Sequence, residues 1–133
     1  MLKTTFLNNV LNQYKIKPYL VLLFLIIFSS TTFSETKLVI LGSGTPNPDP
    51  NRFGSGYAII VNEKAYIVDF GPGIVRRISA MSPSWGGEFS AMELENINIA
   101  FLTHIHSDHS GALADLILTP WVMGRDEPLE LFG

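Results

Sequence analysis

The chain after residue 34 alternates short apolar runs with clusters of glycine, proline and small polar residues. Four apolar runs, at positions 37–41, 57–61, 65–70 and 97–103, predict β-strands. The residues "NEK" between the second and third runs suit a hairpin turn. The fourth run has almost no polar interruption, which predicts a strand buried on both faces. The pattern therefore predicts a sheet that begins with paired strands.

Two further segments carry helical spacing. Four apolar residues at helical intervals predict a helix over residues 74–81. The stretch "GALADLILTPWVMG" predicts a second helix that begins near residue 110 and is kinked or stopped near Pro120. The stretch "PLELFG" predicts the start of one more strand. Strands that are first paired and then separated by helices indicate an α/β or α+β fold, in which helices cover a sheet.

The first 34 residues have a different character. Three lysines and no acidic residue precede the ten apolar residues "YLVLLFLIIF", and the small polar stretch "SSTTFS" follows. This layout is typical of a secretory signal, and it predicts a signal peptide over residues 1–34 with cleavage after Ser34. A membrane-spanning helix needs about 20 apolar residues, twice this run. An uncleaved helix and a retained membrane anchor stay open as alternatives. A signal predicts a periplasmic or secreted protein, which meets the membrane only through this segment.

Composition narrows the classes of function. The 133 residues carry a formal charge of −3 and are 47% hydrophobic, which is typical of one globular domain. No basic stretch stands out, so nucleic acid is not favoured as a partner. The chain has no cysteine, which excludes disulfides and thiolate metal ligands within it.

The chain's three histidines lie within the stretch "FLTHIHSDHSG", at His104, His106 and His109, together with Asp108. Imidazole nitrogens and carboxylates are good donors for zinc and similar ions. In an extended chain the first two rings project to the same side, and the other two donors follow at a turn. The spacing predicts two ligands for each of two ions about 3.5–4 Å apart. The alternatives are solvated turn histidines or a hydrogen-bonded cap for the next helix. Asp108 and Ser107 could cap that helix, a role that is compatible with metal binding.

These residues carry a resemblance to a known family. "THIHSDHSG" is similar to the HxHxDH signature of the metallo-β-lactamase superfamily. "LVILGSGTPNPDPNRFGSGYAIIV", "AYIVDFGPG" and "LTPWVMGRDEPLELFG" resemble its ribonuclease Z-like and arylsulfatase-like branch. The resemblance runs from Lys37 to Gly133. It implies the first half of an αββα sandwich, preceded here by the signal-peptide helix.

The resemblance also implies roles for the clustered donors. His104 and His106 would hold a first metal ion, and Asp108 and His109 a second. Asp108 would also act catalytically by taking a proton from the attacking water. The ions would be two zinc ions, although other divalent metals would suit the same donors.

Two further segments receive roles by the same resemblance. Asp69 would orient a metal ligand through a hydrogen bond, and its alternative is a turn or helix-capping aspartate. Gly42, Gly44 and Thr45 belong to a substrate loop whose glycines let it approach the site closely. This loop is not a dinucleotide-binding fingerprint, because Asn47 stands where the third glycine would be.

The family requires more ligands than this stretch provides. A further histidine for the first metal, a bridging aspartate and a last histidine are expected in relatives, and no histidine follows His109. Residues 35–133 are therefore expected to form an incomplete metallo-β-lactamase-like domain that is inactive alone.

The complete protein is expected to be a metal-dependent hydrolase. Because an exported protein rarely meets tRNA, the expected substrates are small molecules of the ester type: esters, sulfate esters, phosphodiesters or lactones. One alternative is an inactive remnant or metal-poor binding module. Another is a ribonuclease Z-like endonuclease that processes tRNA, and a β-lactamase ranks lower. The sequence leaves the oligomeric state open, a dimer included.

Overall fold

The structure is a computed structural model that describes Tyr19, Leu20 and residues 35–133. The predicted signal peptide and its cleavage position therefore lie almost wholly outside the described residues. Within the described part of the chain, no helix is both long and apolar enough to cross a membrane.

Within residues 35–133, five strands form one mixed sheet. They are β1 (Thr36–Gly42), β2 (Gly56–Val61), β3 (Lys64–Val68), β4 (Ile99–Phe101) and β5 (Glu130–Phe132). Their order in the sheet follows their order in the chain. The first three strands are antiparallel, whereas β4 lies parallel to both β3 and β5. The prediction of paired strands followed by strands separated by helices is confirmed.

The turn between β2 and β3 explains how the hairpin closes. Asn62 and Glu63 have positive φ values of 49° and 58°, and Val61 pairs directly with Lys64. Two successive left-handed residues are typical of the type I′ turn, whose twist matches that of the flanking strands. Asn62 and Glu63 of the "NEK" stretch therefore form a two-residue hairpin loop, and Lys64 begins β3.

Helices cover one face of this sheet. Helix α1 spans Ile74–Met81, the segment that the sequence predicts. A four-residue helix, α2 (Ser107–Ser110), precedes the longer α3 (Leu113–Val122), and short 3-10 turns fill the segment between α1 and β4. The largest fully buried side chains lie between sheet and helices and include Ile67, Phe70, Ile74, Ile78, Met92, Ile97 and Leu116.

The opposite face of the sheet is apolar and open. Leu38 and Ile40 of β1 are 67% and 63% exposed, and Phe101 of β4 is 38% exposed. The prediction that the fourth strand is buried on both faces is therefore wrong. Its near-continuous apolar run reflects one covered face and one uncovered apolar face. The regular strand is also shorter than the run, since it ends at Phe101.

Helix α3 includes Pro120 and ends two residues later at Val122, in agreement with the predicted stop near that proline. Proline lacks the N–H that would bond the carbonyl four residues earlier, at Leu116. The buried side chain of Arg125 replaces that donor, with Nη1 3.2 Å from the Leu116 oxygen. The same guanidinium donates to the carbonyls of Ile117 at 2.8 Å and Ile97 at 3.0 Å. One side chain thus satisfies helix carbonyls and joins them to the segment that enters β4.

Candidate metal centre

The ends of β3 and β4 bring the predicted site residues together. The Asp69 N–H donates to the Phe101 carbonyl at 2.8 Å, which continues the pairing of the two strands by one residue. The next N–H, of Phe70, donates to the His109 carbonyl at 2.7 Å, and the Ala112 N–H returns a bond to the Phe70 carbonyl at 2.8 Å. The loop after β3 is therefore tied by its main chain to the segment that carries the histidines.

A glycine-rich segment before β2 is also hydrogen-bonded to the loop after β3 and to the histidine segment. The Ser55 N–H donates to the Asp108 carbonyl at 2.7 Å, and the Gly71 N–H donates to the Ser55 carbonyl at 2.9 Å. A Cβ atom on Gly71 would lie 1.8 Å from the Asp108 carbonyl oxygen. Only glycine allows this approach, so Gly71 sets the position of the main chain at Asp108.

The three histidine rings lie close together, although not on a strand. His104 and His106 occupy the irregular segment after β4, and His109 lies in α2. The ring centroids of His104 and His106 are 4.6 Å apart, and those of His104 and His109 are 4.0 Å apart. Helix α2 begins after His106 without a side-chain cap, so Asp108 and Ser107 do not cap it.

Asp108 is the most strongly buried of the clustered donors. The residue is 7% exposed, and its Oδ1 atom has no hydrogen-bond partner within the described part of the chain. Its Oδ2 atom lies 3.4 Å from His109 Nε2. A buried carboxylate oxygen without a partner is costly unless another group binds it. The donors therefore fit a metal ion by chemical type.

The number of donors is smaller than a closed metal site requires. Among Tyr19, Leu20 and residues 35–133, no group of three histidine, aspartate or glutamate side chains is arranged to hold one ion. Catalytic zinc sites usually have three protein ligands and one open position. The assignment of two ligands to each of two ions stays a prediction.

Asp69 is the centre of the hydrogen bonding beside these donors. The residue is 2% exposed and has a φ of 61°, a left-handed conformation that aspartate tolerates better than most residues. Its Oδ1 accepts the Thr103 N–H at 2.8 Å, and its Oδ2 lies 2.7 Å from His109 Nδ1. Helix α1 begins after Gly73, so Asp69 does not cap it. The structure thus places Asp69 in contact with a predicted metal ligand.

The ionisation of Asp69 reflects two opposing effects. Burial alone would raise the pKa of its carboxyl group. Hydrogen bonds from the Thr103 main chain, the His109 ring and the Thr103 hydroxyl outweigh burial and lower the pKa below its ordinary value. Asp69 is therefore a carboxylate at neutral pH.

Thr103 is the site residue that sequence reasoning missed. Its hydroxyl oxygen lies 2.9 Å from Asp69 Oδ2 and 3.0 Å from His104 Nδ1. A hydroxyl group directly before the first histidine of "THIH" was the available signal. The partner on the other side, Asp69, is 34 residues away, so no local pattern links the two.

The predicted substrate loop lies beside Asp108. Gly44 and Thr45 line a cleft of about 440 Å³ together with Asp108 and Arg52. Gly42 lies deeper, where a Cβ atom would meet the Gly54 carbonyl oxygen at 2.1 Å. These glycines allow the loop to pack closely on the residue 53–54 segment, and Gly54 in turn donates to the Pro72 carbonyl.

We expect Asp69→Asn to lower the free energy of unfolding of the full-length protein by about 2 kcal/mol. Asparagine keeps the shape and tolerates the left-handed backbone. Its amide, however, replaces one acceptor oxygen with a donor that meets the donors of Thr103 and His109. Urea denaturation monitored by circular dichroism measures the loss. Asp49→Asn, at an exposed aspartate that pairs with Arg52, is the matched control and should cost less than about 0.5 kcal/mol.

The pH dependence of this difference follows from the lowered pKa. A carboxyl group with a lower pKa in the folded state stabilises the fold fully above its ordinary pKa and loses that contribution as the pH falls through the folded value. The difference between the wild type and Asp69→Asn should therefore be largest near neutral pH and shrink in acid. A difference that grows in acid would contradict the assigned hydrogen bonds.

Comparison with known proteins identifies the class to which this fold and donor set belong. The profile of the metallo-beta-lactamase superfamily matches residues 49–131, which is more than half of the chain. The chain therefore belongs to the metallo-β-lactamase superfamily, and the resemblance seen in its motifs is confirmed.

Individual relatives indicate which branch of the superfamily this chain is most similar to. The chain is 35% identical over 86 residues to "Ribonuclease Z" of Mycobacterium avium (strain 104), a match over 65% of this chain and 28% of that protein. It is 34% identical over 100 residues to "Ribonuclease Z" of Mycobacterium bovis (strain BCG / Pasteur 1173P2), a match over 73% of this chain and 32% of that protein. The chain thus spans about a third of the length of these curated relatives.

Solved structures agree on the fold. The metallo-beta-lactamase fold protein YhfI from Bacillus subtilis superposes with a TM-score of 0.57 at 22% identity, over 74% of this chain and 37% of that one. Human tRNase Z, short form, superposes with a TM-score of 0.57 at 22% identity, over 73% of this chain and 34% of that one. The predicted fold class, part of a metallo-β-lactamase sandwich, is confirmed.

One expectation is overturned by these relatives. Nucleic acid was not favoured as a partner, because the chain has no basic stretch and begins with a signal-like segment. Relatives that share about a third of their aligned residues with this chain are named ribonuclease Z. That expectation is therefore wrong. Net charge reports on electrostatic steering, and it does not identify the substrate of a metal centre.

Proposed function

We propose that this chain supplies part of the metal centre of a metal-dependent hydrolase that cleaves RNA phosphodiesters, with tRNA as the favoured RNA. The observation that carries the proposal is the 34% identity to a ribonuclease Z over 73% of this chain. That similarity supports an RNA substrate over the small esters that the signal-like segment suggested. The donor types in the cluster support metal-dependent hydrolysis.

The proposed roles of the residues are those that the family resemblance implies. His104 and His106 would hold one ion, and Asp108 and His109 would hold a second. When bound, zinc lowers the pKa of water to near neutral and so provides a hydroxide nucleophile. Asp108 Oδ1, which is buried and lacks a described partner, can accept a proton from the attacking water. Asp69 holds the His109 ring through a bond of 2.7 Å.

The test compares substrates with the full-length protein loaded with Zn²⁺. A tRNA transcript, a chromogenic phosphodiester and a chromogenic sulfate ester are offered in parallel. We expect cleavage of the RNA, and a loss of at least about 100-fold in kcat/KM with His106→Ala, which removes a predicted ligand. Ile105→Ala is the matched control, because Ile105 stands between two predicted ligands and is 83% exposed.

Other outcomes would replace the proposal. Turnover of the sulfate ester alone would support the small-ester alternative. Equal RNA cleavage by wild type and His106→Ala would contradict the metal mechanism. Elemental analysis that finds close to zero metal per chain, together with no turnover, would support the metal-poor module, in which the described donors are too few to hold an ion.

Export of the protein is a separate proposal, and it rests on the layout of residues 1–34 alone. Amino-terminal sequencing of the mature protein tests it. A mature chain that begins at Glu35 would support the signal peptide, and one that still begins at Met1 would contradict cleavage.

A further inference from the structure

The hydroxyl group of Thr103 lies between a buried carboxylate and a predicted metal ligand. Its Oγ1 atom is 3.0 Å from Asp69 Oδ1 and 2.9 Å from Asp69 Oδ2. The same oxygen is 3.0 Å from His104 Nδ1. The Thr103 N–H also donates to Asp69 Oδ1 at 2.8 Å, which fixes the threonine main chain against the carboxylate. The Asp69 carboxylate, the Thr103 hydroxyl group and the His104 ring are therefore in contact, and the protons available for these contacts are the hydroxyl proton and one proton of the His104 ring.

Only one assignment of donors and acceptors satisfies all of these contacts. A carboxylate only accepts hydrogen bonds, and a hydroxyl group has one proton to donate. The Thr103 hydroxyl must therefore donate to Asp69, and it can bond His104 only as an acceptor. His104 must then carry its proton on Nδ1. In a neutral imidazole this leaves the lone pair on Nε2.

The Asp69 carboxylate also fixes the tautomer of the His109 ring, in this case by direct contact. His109 Nδ1 lies 2.7 Å from Asp69 Oδ2, so this ring must also donate from Nδ1. Its Nε2 is then the free nitrogen, and it faces Asp108 Oδ2 at 3.4 Å. Asp69 thus acts on His109 by direct contact and on His104 through the threonine hydroxyl.

We propose that Thr103 is a positioning residue that fixes the tautomer of His104, so that Nε2 is the nitrogen available to a metal ion. A metal-bound histidine usually donates its other ring N–H to a neighbouring acceptor, which sets both tautomer and ring orientation. Here the acceptor is a hydroxyl oxygen that is itself polarised by a buried carboxylate. The use of that nitrogen for metal rests on the proposed function, whereas the tautomer does not.

The primary test is the tautomer of His104 in the metal-free, full-length protein. Ring ¹⁵N chemical shifts, recorded above the pH at which the histidines are protonated, report which nitrogen carries the proton. We expect His104 and His109 both to carry it on Nδ1 in the wild type. A wild-type His104 with its proton on Nε2 would overturn the proposal without any variant.

Two variants separate the hydroxyl from the rest of the side chain. Thr103→Val removes the hydroxyl and keeps the main-chain bond to Asp69, so His104 should shift toward a mixture of tautomers while His109 stays unchanged. Thr103→Ser keeps the hydroxyl and should preserve the wild-type shifts of both rings. A Thr103→Val protein whose His104 shifts match the wild type would overturn the proposal, whatever its activity.

Metal affinity provides a second readout that does not depend on turnover. In competition with a chromogenic chelator, Thr103→Val should bind Zn²⁺ about 10- to 100-fold more weakly than the wild type, and Thr103→Ser should recover most of that loss. Equal affinity of all three proteins would contradict the positioning role. Failure of RNA cleavage in the wild type would instead count against the proposed function, and it would leave the tautomer result standing.

Discussion

We expect replacement of Gly71 with alanine to destabilise the full-length protein by about 3 kcal/mol or more, because the new methyl group has no space. Its Cβ atom would lie 1.8 Å from the Asp108 carbonyl oxygen and 2.8 Å from Gly54 Cα. Both neighbours are main chain, so no side chain can rotate away. The Asp108 carbonyl is also held by the Ser55 N–H at 2.7 Å. Relief of the clash must therefore move the main chain at a predicted metal ligand.

Chemical denaturation and zinc competition together measure this effect. Both stability and zinc affinity should fall, since the displaced main chain carries the Asp108 side chain with it. Gly86→Ala is the matched control: Gly86 has a φ of 84°, and no described atom lies within 4 Å of the place that its new methyl group would take. That variant should cost only the left-handed penalty of about 1 kcal/mol and leave zinc affinity unchanged. Equal losses in both variants would show that the close approach at Gly71 is unimportant.

The second large effect is expected from Arg125→Met, at about 3 kcal/mol. Methionine fills much of the same volume, but it leaves the carbonyls of Ile97, Leu116 and Ile117 without the guanidinium donors. Buried acceptors that lose their partner cost more than the bond itself contributes. Arg76→Met is the control, because that arginine side chain is 80% exposed and its ion pair with Asp115 is 3.8 Å long. It should cost less than about 1 kcal/mol.

A double-mutant cycle shows whether Arg125 compensates for the proline. Pro120→Ala restores an N–H that can bond the Leu116 carbonyl within the helix. In the Arg125→Met background this change should therefore stabilise the protein more than it does in the wild type. Additive effects of the two substitutions would mean that Arg125 stabilises the interior independently of the proline.

Local patterns were sufficient for the elements that depend on neighbouring residues. The helix at Ile74–Met81 follows from its apolar spacing, and the hairpin at Asn62 and Glu63 follows from the polar interruption between two apolar runs. The predicted stop near Pro120 agrees with the helix end, but the role of Arg125 was not predicted, because this donor comes from a side chain beyond the end of the helix. The prediction of a strand buried on both faces failed at Phe101, because an apolar residue on an open sheet face has the same sequence signature as a buried one.

The residues of the candidate site also separate into those that local sequence patterns show and those that they do not. The cluster of His104, His106, Asp108 and His109 is visible in the sequence because these residues are adjacent. A hydrogen bond from Asp69 to a metal ligand was expected only through family resemblance, the identity of that ligand as His109 was not, and the contribution of Thr103 was not expected. Both depend on how β3 and β4 align, and that alignment is decided by the core beneath them.

The contacts of Asp69 also bear on the order of folding. Its bonds to Thr103 and His109 join residues 34 and 40 positions apart, so each closes a long loop of chain. Loop closure costs entropy before such contacts can stabilise anything. The donors should therefore assemble only after β3 and β4 have paired. A metal ion would then bind to donors that the folded chain has already positioned. In small zinc domains, by contrast, metal binding itself drives folding.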